Sequence, residues 1–106
     1  MRRCCYYYTR SSSYNIDFSD IMMYSKKYSA IIIDVRSIQE YQEWHIDGAI
    51  NIPVWDIKQK ILNYTESKDQ YIILYCSSGV RSKKAQSILW NMGFKNVFNV
   101  NGGFYS

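Results

Sequence analysis

The sequence predicts an α/β fold in which a buried parallel sheet carries helices on both faces. Two observations predict it. The runs Ile31-Ile32-Ile33-Asp34-Val35 and Tyr71-Ile72-Ile73-Leu74-Tyr75 are apolar and β-branched without a polar alternation, as strands buried on both faces are. Between such runs lie segments with apolar residues at helical spacing, so strands and helices alternate and neighbouring strands pair in parallel across helical crossovers. A chain of 106 residues supports a single hydrophobic core, hence one domain.

Residues 1–14 form a tail rich in Ser and Tyr with no period that would bury a face, and the domain occupies 15–106. Ser19 or Asp20 caps a short helix that begins with Ile21, Met22 and Tyr24. After the strand at 31–35, Ser37-Ile38-Gln39-Glu40 has the pattern of a capping box. Ala49-Ile50-Asn51-Ile52 is a second strand, closed by Pro53, and Val54, Ile57 and Ile61 then recur at helical spacing. Ala85, Ile88, Leu89 and Met92 mark the inner face of the helix that follows the strand at 71–75, and Gly93 ends it. Val97-Phe98-Asn99-Val100 is the last strand, and Met22, Met23 and Met92 are expected in the core.

The net charge of +4 favours anionic partners, with the lysines spread along the chain except near Arg81, Lys83 and Lys84. Basic and aromatic residues do not interleave in a nucleic-acid-reading motif, so no nucleic acid is expected as partner. Cys4, Cys5 and Cys76 make no disulfide framework, which fits a reducing compartment. The Cys4-Cys5 pair lacks further ligands for a closed metal site, so it reads as part of a floppy tail. The basic start has no apolar run of the kind a signal peptide carries behind it, and no apolar run is long enough to span a bilayer, so a cytoplasmic protein without membrane contact is expected.

Chemistry concentrates where the strand at 71–75 meets the next helix. A side chain at the carboxyl end of a parallel strand emerges into the crevice that open α/β sheets use for ligands. Cys76 stands there, followed by Ser77-Ser78-Gly79-Val80-Arg81. The unpaired N–H groups and positive end of the following helix face the same place, so an anion is held without a metal. Those donors, with Arg81, Lys83 and Lys84, are expected to lower the Cys76 thiol pKa and make it a nucleophile. Gly79 lets the backbone curl into an anion nest, and Arg81 offers paired donors to an oxyanion.

These residues resemble the rhodanese family from about Ile16 to Gly103. The resemblance is carried by Asp34-Val35-Arg36 with Glu40-Tyr41, by His45-Ile46-Asp47-Gly48-Ala49-Ile50-Asn51-Ile52-Pro53, by Tyr75-Cys76-Ser77-Ser78-Gly79-Val80-Arg81-Ser82, and by Gly102-Gly103. It implies a rhodanese-like three-layer fold whose central, mainly parallel sheet has about five strands with helices on both faces. It also implies a sulfurtransferase in which the Cys76 thiolate takes the outer sulfur of thiosulfate or a persulfide donor, and a thiophilic acceptor such as cyanide or a thiol removes it. Ser77, Ser78, Gly79, Val80 and Arg81 are then the substrate-binding loop. Asp34, Arg36 and Glu40 are structural residues near the site, with Arg36 and Glu40 paired, and His45 is structural too.

No cofactor and no metal are implied. The partners are a small anionic sulfur donor, a thiol acceptor and, further, a sulfur-relay protein. Phosphatases of the same fold carry one more residue between Cys and Arg, so the span Cys76 to Arg81 favours sulfur over phosphate. The alternative function is a persulfide carrier or binding module dedicated to one protein partner. The sequence departs from the family at Trp44, where a Gly is usual, and at Ser77 and Ser78, where many relatives are basic. Relatives also continue past Gly102-Gly103 into a further helix, so an apolar sheet face left uncovered is expected.

Overall fold

The structure, a computed structural model, describes residues 14–102. Its five strands are β1 (Asn15–Ile16), β2 (Ile31–Asp34), β3 (Ile50–Asn51), β4 (Ile72–Tyr75) and β5 (Val97–Val100). They form one sheet in the order β1-β5-β4-β2-β3, and every neighbouring pair is parallel. The α/β architecture read from the sequence is therefore the one observed. β1, only two residues long, sits at the boundary between expected tail and domain and pairs with the end of β5, Asn15 opposite Asn99.

Four α-helices connect the strands: α1 (Ile21–Tyr28), α2 (Ile38–Glu43), α3 (Ile57–Lys60) and α4 (Val80–Asn91). Strand residues two apart share a face, which sorts the core into two clusters. Ile33, Val35, Ile72, Leu74, Cys76 and Val97 pack with Ile57 and Ile61 and with Ala85 and Leu89 of α4. On the other face Ile32, Ile73, Tyr75, Phe98 and Val100 pack with Ile21 of α1 and with Ile46 and Ala49. β4 and β5 are buried throughout, so the described faces of these central strands are covered.

Local signals place the helix ends. At α2 the Ser37 hydroxyl accepts from Glu40 N–H at 3.2 Å while the Glu40 carboxylate accepts from Ser37 N–H at 3.1 Å, a complete capping box. At the far end of α4, Gly93 has φ +101°, and the N–H groups of Gly93 and Phe94 donate to Trp90 O and Leu89 O at 3.0 and 3.1 Å. Those two bonds satisfy carbonyls that the helix end leaves free.

Three expectations change. The helical stretch after Pro53 breaks into a 3₁₀ turn at Val54–Asp56, α3, and a second 3₁₀ turn at Ile61–Asn63, because burying Val54, Ile57 and Ile61 needs only one side of a short segment. Met22 and Met23 are 50% and 56% exposed, since Ile21 is the one buried residue of α1. Of the expected tail, Tyr14 is described, and it is tied down: its carbonyl accepts from Asn99 N–H at 2.9 Å, and its ring packs 5.0 Å from that of Phe98. Cys4 and Cys5 lie outside the described residues.

Because Leu74 is wholly buried between β2 and β5 beneath α4, Leu74→Ala should lower the unfolding free energy by about 2–5 kcal/mol in urea titration. Ile38→Ala, at an exposed helix position, should stay within about 0.5 kcal/mol of the parent.

Candidate active site around Cys76

Cys76 directly follows β4 and has no exposed surface. Its sulfur accepts hydrogen bonds from the N–H groups of Gly79, at 3.0 Å, and Ser82, at 3.4 Å, and the Ser82 hydroxyl lies 3.6 Å away. Gly79 makes the curl possible. It adopts φ +94°, and a Cβ built there would sit 3.0 Å from the backbone nitrogen of Gly102, so a side chain would be both strained and crowded. α4 begins at Val80 straight after Gly79, so the N–H of Ser82 in its first turn is the helix donor that reaches the sulfur.

Burial pushes the Cys76 thiol up. The Ser82 hydroxyl and the N–H groups of Ser82, Ser78 and Gly79 outweigh it, and the thiol lies below its ordinary pKa. The N–H donors expected from the sequence therefore act on the thiol together with the Ser82 hydroxyl, and the basic side chains are not among the groups that lower it. Ser82 is the residue that sequence reasoning left without a role. Its position, six residues after Cys76 in the first turn of α4, was the available signal.

The charged residues pair differently from the expectation. Arg36 was expected to pair with Glu40, but its bonds fall on Asp34, with Nε at 3.0 and 3.1 Å and Nη2 at 2.8 Å from the carboxylate, and on Trp44 O. Asp34 also accepts from the Arg36 N–H at 2.9 Å, which folds the two side chains onto one turn. Glu40 is instead held by Arg81, at 2.8 and 3.1 Å. The reason is geometric: the capping box fixes the Glu40 carboxylate at the start of α2, and Arg81 at the start of α4 reaches it across the chain. Arg81 was expected to present its fork to an oxyanion, and that fork faces Glu40 in this structure.

Trp44, whose carbonyl accepts from Arg36, stands half-exposed, so its ring needs no room in the turn. His45 is bonded through Nδ1 to Tyr41 O at 2.8 Å and stacks on the Tyr41 ring, which serves the loop and not Cys76. Beside the Cys76 loop opens a cleft of about 580 Å³ whose lining includes Ser78, Gly79, Lys83, Lys84, Asn99 and Asn101. Val80 borders it and is 73% exposed, while Ser77 is half-buried. Among the described residues no group of His, Cys, Asp or Glu has the arrangement of a metal site, and no helix is long and apolar enough to cross a membrane.

The sequence profile of the Rhodanese-like domain family matches residues 19–106. The chain belongs to that family. Thiosulfate sulfurtransferase PspE of Escherichia coli K12 is 40% identical over 70 residues, covering 66% of this chain and 67% of its own length. A tRNA uridine(34) hydroxylase of Buchnera aphidicola is 34% identical over 79 residues, 71% of this chain but 25% of its own length. Across several longer relatives, this rhodanese-like chain spans between 22% and 36% of the matched protein. A rhodanese from E. coli solved with anions superposes with a TM-score of 0.67 at 37% identity, covering 71% of this chain and 88% of that one. The resemblance carried by the Cys76 loop and the Asp34 segment is thus borne out in both family and fold.

The Arg81 guanidinium, backed by the Ser37 bonds and opposed by burial, holds the Glu40 carboxyl at about 2 instead of its usual 4.5. A depressed carboxyl contributes stability that is complete above the unfolded pKa and is lost as the pH falls through the folded one. The Glu40 pair should therefore weaken between about pH 4.5 and pH 2, and Glu40→Gln should flatten the acid arm of stability in that window. Urea midpoints measured against pH check this, with a modest effect expected because both side chains are a third exposed.

Proposed function

We propose that this rhodanese-like domain is a sulfurtransferase that carries sulfane sulfur on Cys76. The observation that supports it most is the set of N–H donors from Gly79 and Ser82 closing on one sulfur at the head of α4. A thiolate held this way is a nucleophile, and the same donors stabilise the anionic persulfide that replaces it. In the step proposed, the Cys76 thiolate attacks the outer sulfur of thiosulfate. The sulfur–sulfur bond of the donor breaks, sulfite leaves with the electron pair, and a persulfide remains on Cys76. A thiophilic acceptor, cyanide or a thiolate, then attacks the outer sulfur, and the Cys76 thiolate returns. Electrons balance over the two displacements without a cofactor.

Ser78, Gly79 and Val80 line the cleft beside the reacting sulfur, and Ser77 completes the substrate-binding loop. Lys83 and Lys84 carry the positive charge of the adjoining cleft, so they are the groups that attract an anionic donor while Arg81 braces the loop through Glu40. Asp34 and Arg36 form a support at the end of β2, with Asn51 donating to the carbonyls of both at 3.0 Å.

A second reading is supported by the complete burial of Cys76. A sulfur with no exposed surface suits delivery to one docked protein partner, in which the domain is a dedicated persulfide carrier. Thiosulfate and a protein persulfide donor separate the readings.

Intact mass after incubation with thiosulfate should rise by one sulfur located on Cys76 and fall again on adding cyanide, with thiocyanate formed. Cys76→Ser should abolish both changes while leaving the thermal transition in place. Persistent loading in that variant would move the nucleophile to Cys4 or Cys5. Failure of thiosulfate with success of a protein persulfide donor would establish the carrier.

Replacing Lys83 and Lys84 together by Ala should raise KM for thiosulfate roughly threefold to tenfold and leave a neutral persulfide donor nearly unaffected. Equal losses with both donors would remove the anion-attracting role.

A further inference from the structure

The Ser82 hydroxyl has one hydrogen and three acceptors around it: Asn99 Oδ1 at 2.6 Å, Gly79 O at 3.2 Å and Cys76 Sγ at 3.6 Å. The shortest contact takes the hydrogen. With its hydrogen on Asn99, the Ser82 oxygen presents a lone pair to the sulfur, which suits a neutral S–H and opposes a thiolate. Asn99 is only 3% exposed, sits in β5, and is itself oriented by donating through Nδ2 to Asn15 Oδ1 at 3.2 Å. The chain Asn15, Asn99, Ser82, Cys76 therefore runs from the edge strand β1 to the sulfur.

We infer that Asn99 is a positioning residue that competes with the Cys76 sulfur for the Ser82 hydrogen and so sets how readily Cys76 ionises. When the thiolate forms, the hydroxyl rotates toward it and the bond to Asn99 is given up, so Asn99 works as a brake on the activation that Ser82 supplies. The other charged groups around the sulfur are on different elements: Arg81 with Glu40, Lys83 and Lys84 on α4, and Asp34 at the end of β2 with Arg36 just beyond it. β5 brings no ionisable side chain, so its influence passes through Asn99 alone.

The inference rests on Cys76 as the reactive thiol, but its test reads ionisation and needs no sulfur donor. In the full-length chain the rate of alkylation by iodoacetamide is followed against pH, with peptide masses separating Cys76 from Cys4 and Cys5. Asn99→Leu and Asn99→Val both remove the competing acceptor, and either one suffices if the other does not fold. Each should lower the Cys76 midpoint by about one pH unit, the worth of one hydrogen bond to a charged group. In a Ser82→Ala background the same Asn99 substitutions should leave the midpoint where Ser82→Ala alone puts it, above the parent value. An unchanged or raised midpoint in the single Asn99 variants overturns the inference. So does an equal lowering without the Ser82 hydroxyl, which would make Asn99 a general structural influence.

Discussion

The backbone between β4 and α4 closes around a single acceptor, the Cys76 sulfur, and much of the surrounding structure exists to permit that closure. The N–H groups of Gly79 and Ser82 converge on it, which requires the positive φ of Gly79 and the near approach of that residue to Gly102. Buried donors without partners are costly, so the sulfur satisfies the loop as much as the loop activates the sulfur. Sheet order follows from the same need. β4 lies centrally, with β5 and β2 on either side, so the ends of three strands supply Asn99 and Gly102, Cys76, and Asp34 to one edge.

Two ion pairs hold that edge at different depths. Asp34 and Arg36 are buried and close within one turn, where several charge-assisted bonds offset the cost of removing both groups from water. Burial works against the Arg36 charge, and the Asp34 bonds outweigh it, so the guanidinium stays charged. Glu40 and Arg81 are half-buried and join α2 to α4, which makes their bond a tie between the two helices that flank the loop. The first pair stiffens a turn, and the second links elements far apart in the chain.

What the sequence revealed and what it concealed divide along the same lines. The strands 31–34 and 72–75, the Ser37 capping box and the Gly93 helix end rest on residues close together in the chain, and all were legible. The Cys76 loop was legible for the same reason, its donors lying within six residues of the sulfur. β1 was not, because two residues carry no period and are held only by β5. The partner of Glu40 depended on which of two arginines the fold brings near, a question of tertiary geometry. Asn99 read as a polar residue in a strand, since nothing local shows that the Ser82 hydroxyl lies 2.6 Å from it.

The burial of Cys76 carries a consequence for damage as well as for reaction. A peroxide that would drive the thiolate up the oxidation ladder needs the same access as a sulfur donor, and neither reaches a sulfur with no exposed surface until the loop gives way. The oxidative lifetime of the thiol is then set jointly by how often the loop opens and by how much of the sulfur is thiolate when it does.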